Sequence, residues 1–207
     1  KFNGIDLIIS RTGWSGELGY EIYLSDFEKG SFLFNEIMEQ GRSFSIAAGS
    51  VNQARRIEAG ILSWGVEMSQ EENPYEVNLG RLVEFNDHGK FIGRDAALKY
   101  SKRDQVKGLV GLKMMPPAIE SNERPWNIFH GDDVVGKLTS LAYSPRLKFN
   151  IGLGLVHKQF TTLGTKFSVQ GCGEFHDAEV VPMPFLEKQQ MANAKELALK
   201  FNQFNNE

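Results

Sequence analysis

The sequence predicts an α+β fold, and three features carry that prediction. Up to about residue 100, apolar runs bounded by turns alternate with segments whose apolar residues recur at helical spacing. Around residues 101–107 the composition turns polar and charged (Ser101-Lys102-Arg103-Asp104-Gln105), as at a domain boundary. Beyond it the helical period disappears. Short apolar runs then follow one another between Gly-, Asp- or Pro-containing turns, the pattern of a small β-barrel or jelly-roll-like sandwich. The reading gives a first domain over 1–103, a second over 104–187 and a polar helical tail over 188–207.

Phe2-Asn3-Gly4 reads as a turn feeding the apolar strand Ile5-Asp6-Leu7-Ile8-Ile9. Gly13, Gly16 and Gly19 punctuate the next turn, and Tyr20-Glu21-Ile22-Tyr23-Leu24 alternates as a second strand, so the pair predicts a β-hairpin. A strand this apolar needs neighbours on both sides, and the chain enters it from Lys1 rather than Met, so the expectation is a piece of a longer protein. Ser25 stands as an N-cap, with Asp26 and Glu28 in the first turn. Phe32, Leu33, Ile37 and Met38 repeat at helical spacing up to Gly41. A second helix is expected from about Ser50 to Glu58, stopped by Gly60; a strand is expected at Arg81-Leu82-Val83-Glu84-Phe85 and a helix after Gly93. In the second domain the strands are expected at Leu109–Leu112, Trp126–Phe129, Val134–Leu138, Ile151–Val156 and Ala178–Val181, with His130-Gly131-Asp132-Asp133 as a hairpin turn.

Composition excludes several functions. The 207 residues carry a net charge of −3 with cations and anions interspersed. No basic stripe is present to neutralise a phosphate backbone, so nucleic acid is not expected as a partner. No apolar run approaches the roughly 20 residues that cross a bilayer, and the first residues hold no secretion signal, so no membrane is expected and the compartment is expected to be cytoplasmic. Cys172 is the one cysteine, which rules out an internal disulfide. His88, His130, His157 and His176 lie far apart without metal-ligand spacing, so no metal site is expected.

The segment richest in chemistry is Arg11-Thr12-Gly13-Trp14-Ser15-Gly16-Glu17-Leu18-Gly19-Tyr20-Glu21-Ile22-Tyr23. Glycines at every third position let the backbone bend sharply, the rings of Trp14, Tyr20 and Tyr23 offer flat faces, and Glu17 and Glu21 offer carboxylates. A carboxylate beside aromatic rings suits an aminopyrimidine heterocycle, whose N–H groups donate to carboxylate oxygens. On the residues alone, a hairpin turn with aromatics in the core is the simpler reading.

The same run resembles the Arg-Thr-Gly-Tyr-Thr-Gly-Glu-x-Gly-Phe-Glu-Ile signature of the glycine-cleavage T-protein family. Three further stretches fall in that family's order. Arg55-Arg56-Ile57-Glu58-Ala59-Gly60 is similar to its Arg-Leu-Glu-Ala-Gly, and Phe91-Ile92-Gly93-Arg94-Asp95-Ala96 with Leu98 is similar to its Phe-Ile-Gly-Arg-Glu-Ala-Leu. Gly136-Lys137-Leu138-Thr139-Ser140 with Tyr143-Ser144-Pro145 is similar to its Gly-x-Val-Thr-Ser-Gly-x-Tyr-Ser-Pro. The resemblance extends to about Phe185. It implies the remainder of a folate-binding α/β domain followed by a small C-terminal β-barrel, with tetrahydrofolate as cofactor. It also implies that Glu21 holds the pterin edge and that Arg56 lies near the folate. The alternative for Arg56 is an ion pair with Glu58 or another acid, and for Glu21 a buried structural pairing.

Trp14 and Asn73-Pro74-Tyr75-Glu76 depart from the T-protein pattern and look more like dimethylsulfoniopropionate demethylases. That resemblance implies that Tyr23 joins Glu21 at the folate and that Trp14 faces the substrate, unless Trp14 is simply a large core aromatic. A sulfonium or quaternary ammonium has no N–H to donate and is well recognised by an indole face. Arg81 stands where relatives often carry an aromatic and is expected on the surface. The expected activity is tetrahydrofolate-dependent methyl or one-carbon transfer from a small sulfonium or methylated amine. Two alternatives stand beside it: a glycine-cleavage aminomethyltransferase, which would bring a lipoyl carrier protein as partner, and a folate-binding module without transferase chemistry, such as the folate domain of a dimethylglycine or sarcosine dehydrogenase. The catalytic residue is unknown here; the resemblance implies that it belongs to an N-terminal part, so these residues alone are expected to be inactive or nearly so.

Overall fold

The computed structural model describes residue 2, residues 4–86 and residues 90–186. The expected tail helix from Lys188 and His88 lie outside them. The described residues form two compact units, one ending at Asn52 and one beginning at Gln53.

In the first unit β1 (Leu7–Ser10) and β2 (Glu21–Leu24) form the expected antiparallel hairpin. Leu7 pairs with Leu24, Ile8 with Tyr23, Ile9 with Ile22 and Ser10 with Glu21. Side chains opposite one another share a face, and successive residues alternate. One face of the hairpin is therefore Leu7, Ile9, Ile22 and Leu24, all apolar, and the other is Ile8, Ser10, Glu21 and Tyr23. Helix α1 (Gly30–Gln40) follows, ending at Gly41 as expected. It starts later than the expected Ser25 cap. A 3-10 turn over Phe27–Lys29 intervenes, closed by the Lys29 N–H to the Asp26 carbonyl at 3.1 Å, and no side chain caps either helix.

The second unit opens with α2 (Gln53–Glu58), shorter than the span from Ser50 that the sequence suggests. Gly60 ends it at φ +67°. The Ile61 N–H reaches back to the Arg56 carbonyl at 2.8 Å and the Gly60 N–H to that of Ile57 at 2.9 Å, a paired closure that requires the left-handed residue a glycine supplies. The expected strand at 81–85 is absent. Gly80–Leu82 is a 3-10 turn instead, with Leu82 N–H bonded to the Leu79 carbonyl at 2.9 Å and Leu82 exposed. The turn is set by Gly80, which lies so close under the Tyr75 ring that a Cβ there would stand 2.4 Å from Cδ1. Arg81 is exposed, as expected. Helix α3 (Arg94–Ser101) follows Gly93 as the spacing predicts.

Six antiparallel strands then close a barrel in the order β3-β6-β5-β4-β7-β8, with β8 returning to β3. They are β3 (Lys107–Met114), β4 (Trp126–His130), β5 (Asp133–Ser144), β6 (Phe149–His157), β7 (Lys166–Gly171) and β8 (Glu174–Val181). Closure removes every exposed strand edge. The β4–β5 hairpin turns through Gly131-Asp132, with His130 facing Asp133, as expected. Strand β7 is an addition to the sequence reading. Its buried Phe167 and Val169 alternate with Lys166, Ser168 and Gln170, so it never forms an apolar run.

Two apolar clusters organise this unit. The barrel interior holds Leu112, Ile128, Leu138, Leu141, Val156 and Val169 among others. A second cluster joins Ile57 of α2 to Leu109, Ala142, Ile151 and Leu153 on the strands. Among the described residues no helix is long and apolar enough to cross a membrane.

Candidate functional site

Of the four residues expected to meet ligand, Trp14, Glu21 and Tyr23 lie in the first unit and Arg56 in the second. The hairpin register brings Glu21 and Tyr23 onto one face. Tyr23 Oη donates to Glu21 Oε2 at 3.0 Å. Thr12 Oγ1 also donates to Oε2 and lies 2.9 Å from Ser10 Oγ. Both donors converge on one carboxylate oxygen. They fix the orientation of the group through that oxygen. Tyr23 is 53% exposed and Glu21 is part-buried. Trp14 sits in the Gly-rich connection and is 42% exposed. Within that connection the Arg11 guanidinium lies over the Tyr20 ring, 5.7 Å from its centroid, a cation–π contact that orders the loop beside the strand.

In the second unit Arg56 is buried and its guanidinium is fully engaged. Nε donates to Gln53 Oε1. Nη1 donates to the Ile61 carbonyl and to Glu67 Oε2, both at 3.1 Å. Nη2 donates to Ser140 Oγ at 2.7 Å and reaches Glu67 Oε1 at 3.5 Å. These contacts use all five N–H positions of the group. The acid partner is Glu67 rather than the neighbouring Glu58. Glu67 is itself buried, accepts the Ser63 N–H at 2.6 Å and accepts the Ser140 hydroxyl. Glu58 accepts instead from Ser144 Oγ at 2.6 Å and lies 3.9 Å from Arg146. A buried ion pair repays its desolvation only when its remaining donors and acceptors are satisfied, and Ser63, Ser140, Gln53 and the Ile61 carbonyl meet that need.

Glu67 and Ser140 are the partners of Arg56 that sequence reasoning missed. Ser140 lay inside a quoted motif, but nothing linked it to a residue 84 positions earlier. The only local signal for Glu67 is a lone acid shortly after Arg-Ile-Glu-Ala-Gly.

Two clefts flank this network, both within the second unit. One of about 250 Å3 is lined by Gln53, Arg56, Asn122, Thr139 and Ser140. The other, of about 400 Å3, is lined by Glu67, Glu72, Lys107, Lys137 and His157. Burial pushes the Glu72 carboxyl up, but the hydrogen bonds from Ser69 Oγ and N–H, at 2.7 and 2.9 Å, and Lys107 Nζ at 3.5 Å outweigh it and hold the group below its ordinary value. Among the described residues no cluster of His, Cys, Asp and Glu could hold a metal ion.

The fold is that of an aminomethyltransferase. It superposes on the glycine cleavage system aminomethyltransferase T of Bartonella henselae with a TM-score of 0.76 and 23% identity, over 88% of this chain and 50% of that one. Residues 1–87 match the family model of the GCVT N-terminal domain and residues 107–187 that of the glycine cleavage T-protein C-terminal barrel domain, and the chain belongs to the glycine-cleavage T-protein family. Its relatives include the dimethylsulfoniopropionate demethylase DmdA of Ruegeria pomeroyi, 31% identical over 82% of this chain and 46% of that protein. An aminomethyltransferase of Halothermothrix orenii is 35% identical over 88% and 51%, and one of Geobacillus sp. 32% identical over 91% and 51%. The chain thus spans about half the length of these relatives.

Proposed function

We propose that the full-length protein transfers a methyl or other one-carbon group to tetrahydrofolate from a small sulfonium or methylated-amine substrate. The observation that carries this reading is the braced carboxylate of Glu21, held through one oxygen by Tyr23 and Thr12 on the open face of the hairpin. An aminopyrimidine edge presents adjacent N–H donors to such a group, and the exposed Tyr23 ring adds a surface for the pterin. Trp14 supplies an indole face for the positive charge of the methyl donor. Arg56, its N–H groups engaged, acts on folate through its charge and planar face. The donor is already activated by its own charge, so holding the two reactants in line supplies much of the rate, and no residue of this chain is assigned a proton-transfer role.

A second reading, aminomethyl transfer within the glycine-cleavage system with a lipoyl carrier protein as partner, draws equal support from relatives of both names and from Glu17 in the hairpin loop. The test is calorimetric titration of the full-length protein with tetrahydrofolate, then with dimethylsulfoniopropionate, dimethylglycine and glycine betaine. Losing hydrogen bonds to a charged group weakens binding about tenfold or more, and Glu21→Ala is expected to raise the tetrahydrofolate Kd by that much. An unchanged Kd removes Glu21 from the site. Folate binding with no transfer from any of these donors removes the sulfonium and methylated-amine reading and leaves the aminomethyl reading or a binding module without transferase chemistry.

A further inference from the structure

Strand β5 presents one face to α2. Ser140, Ala142 and Ser144 are buried and stand at alternate positions, and Ala142 clusters with Ile57 of the helix. The two serines flank that apolar contact, each hydrogen-bonded to a charged group rather than to another hydroxyl. Ser140 Oγ accepts from Arg56 Nη2 at 2.7 Å and donates to Glu67. Ser144 Oγ donates to Glu58 Oε1 at 2.6 Å. These are two anchors of the same chemistry, a hydroxyl on a buried charged group, between the same two elements. Only one of them reaches Arg56.

We propose that Ser140, acting with Glu67, is a positioning residue for folate, so that the barrel sets the orientation of the Arg56 plane. This rests on the folate reading given above. The carboxylate of Glu67 spans both terminal nitrogens of the guanidinium, the Ser140 hydroxyl bridges Nη2 and Glu67 Oε1, and Gln53 holds Nε. A planar group held at Nε, Nη1 and Nη2 cannot turn about Cδ–Nε or swing on its side chain. Ser144 holds the helix but leaves that plane untouched.

The experiment compares Ser140→Ala, Ser144→Ala and Glu67→Gln in the full-length protein, measuring tetrahydrofolate Kd by calorimetry below the melting temperature of every variant, together with the melting temperatures. The expected result is that Ser140→Ala and Glu67→Gln raise the Kd about tenfold, while Ser144→Ala stays within about twofold at a comparable loss of melting temperature. If both serine variants weaken folate in step with their loss of stability, or if neither does, the proposal is overturned. Should Ser140→Ala fail to fold, Glu67→Gln against Ser144→Ala decides it by the same comparison. Arg56→Lys separates the two levels: a Kd unchanged in Arg56→Lys removes Arg56 from the folate site and the proposal with it, whereas a raised Kd there beside normal binding in Ser140→Ala and Glu67→Gln overturns the positioning role alone.

Discussion

At the scale of single residues, Glu72 makes stability depend on pH. Its carboxyl is held below the ordinary value of 4.5 in the folded chain, so folding favours its ionised form. The stabilisation is present above the unfolded pKa and is lost as pH falls through the folded one. Glu72→Gln is therefore expected to lower the melting temperature at pH 7 and to approach the parent as pH falls through the folded pKa, a narrowing that melts over a descending pH series would detect. A gap of constant size across the range would mean that lost packing, not charge, causes the difference. The residues also show what was legible in the sequence. The resemblance set Tyr23 beside Glu21, and the structure joins the two through a hydrogen bond, since positions i and i+2 of a strand share a face. Arg56 could be singled out, but its surroundings could not, because Glu67 and Ser140 reach it only through the folding of distant chain.

At the scale of elements, the joint between α2 and the barrel rests on Ile57, which is fully buried among Leu109, Ala142, Ile151 and Leu153. Six residues are too few for a helix to persist on propensity alone, so α2 owes its form to this packing and to its glycine closure. Ile57→Ala is expected to cost about 2–5 kcal/mol, read from chemical denaturation, with a smaller value indicating that the strands close over the gap. Strands formed at the five apolar runs expected in the barrel, with β5 extending to Ser144 and β8 starting at Glu174, beyond the runs themselves. Elements departed from the sequence pattern where one contact decided the backbone. Gly80 beneath Tyr75 makes a turn of what alternates like a strand, and β7 hides its two buried side chains between polar ones.

At the scale of the whole molecule, both apolar clusters belong to the second unit, whereas Ile5 and Leu33 are the buried apolar side chains among the described residues of the first. The apolar face of the hairpin shows the same imbalance, with Ile9 61% and Ile22 42% exposed. A two-stranded hairpin is marginal in water without further strands or a covering element. A fragment of residues 53–187 is accordingly expected to unfold in one cooperative transition, and a fragment of residues 1–52 to show none, as differential scanning calorimetry would record. Cooperative melting of the shorter fragment would contradict this account of where the core lies. The α+β class and the barrel were legible because apolar runs recur at strand length beyond the polar stretch. The assignment of α2 to the barrel was not, since the polar stretch at 101–107 is the stronger signal in composition and lies about fifty residues past the place where packing divides the chain.

That displacement bears on how such a protein can be recombined. A crossover placed between the two family matches, after residue 87 and before residue 107, would transplant the barrel without its helix. Ser140, Ala142 and Ser144 would then face a foreign segment, and Arg56 would stay behind without its serine. A crossover at residue 52 carries helix, barrel and charge network as one heritable module.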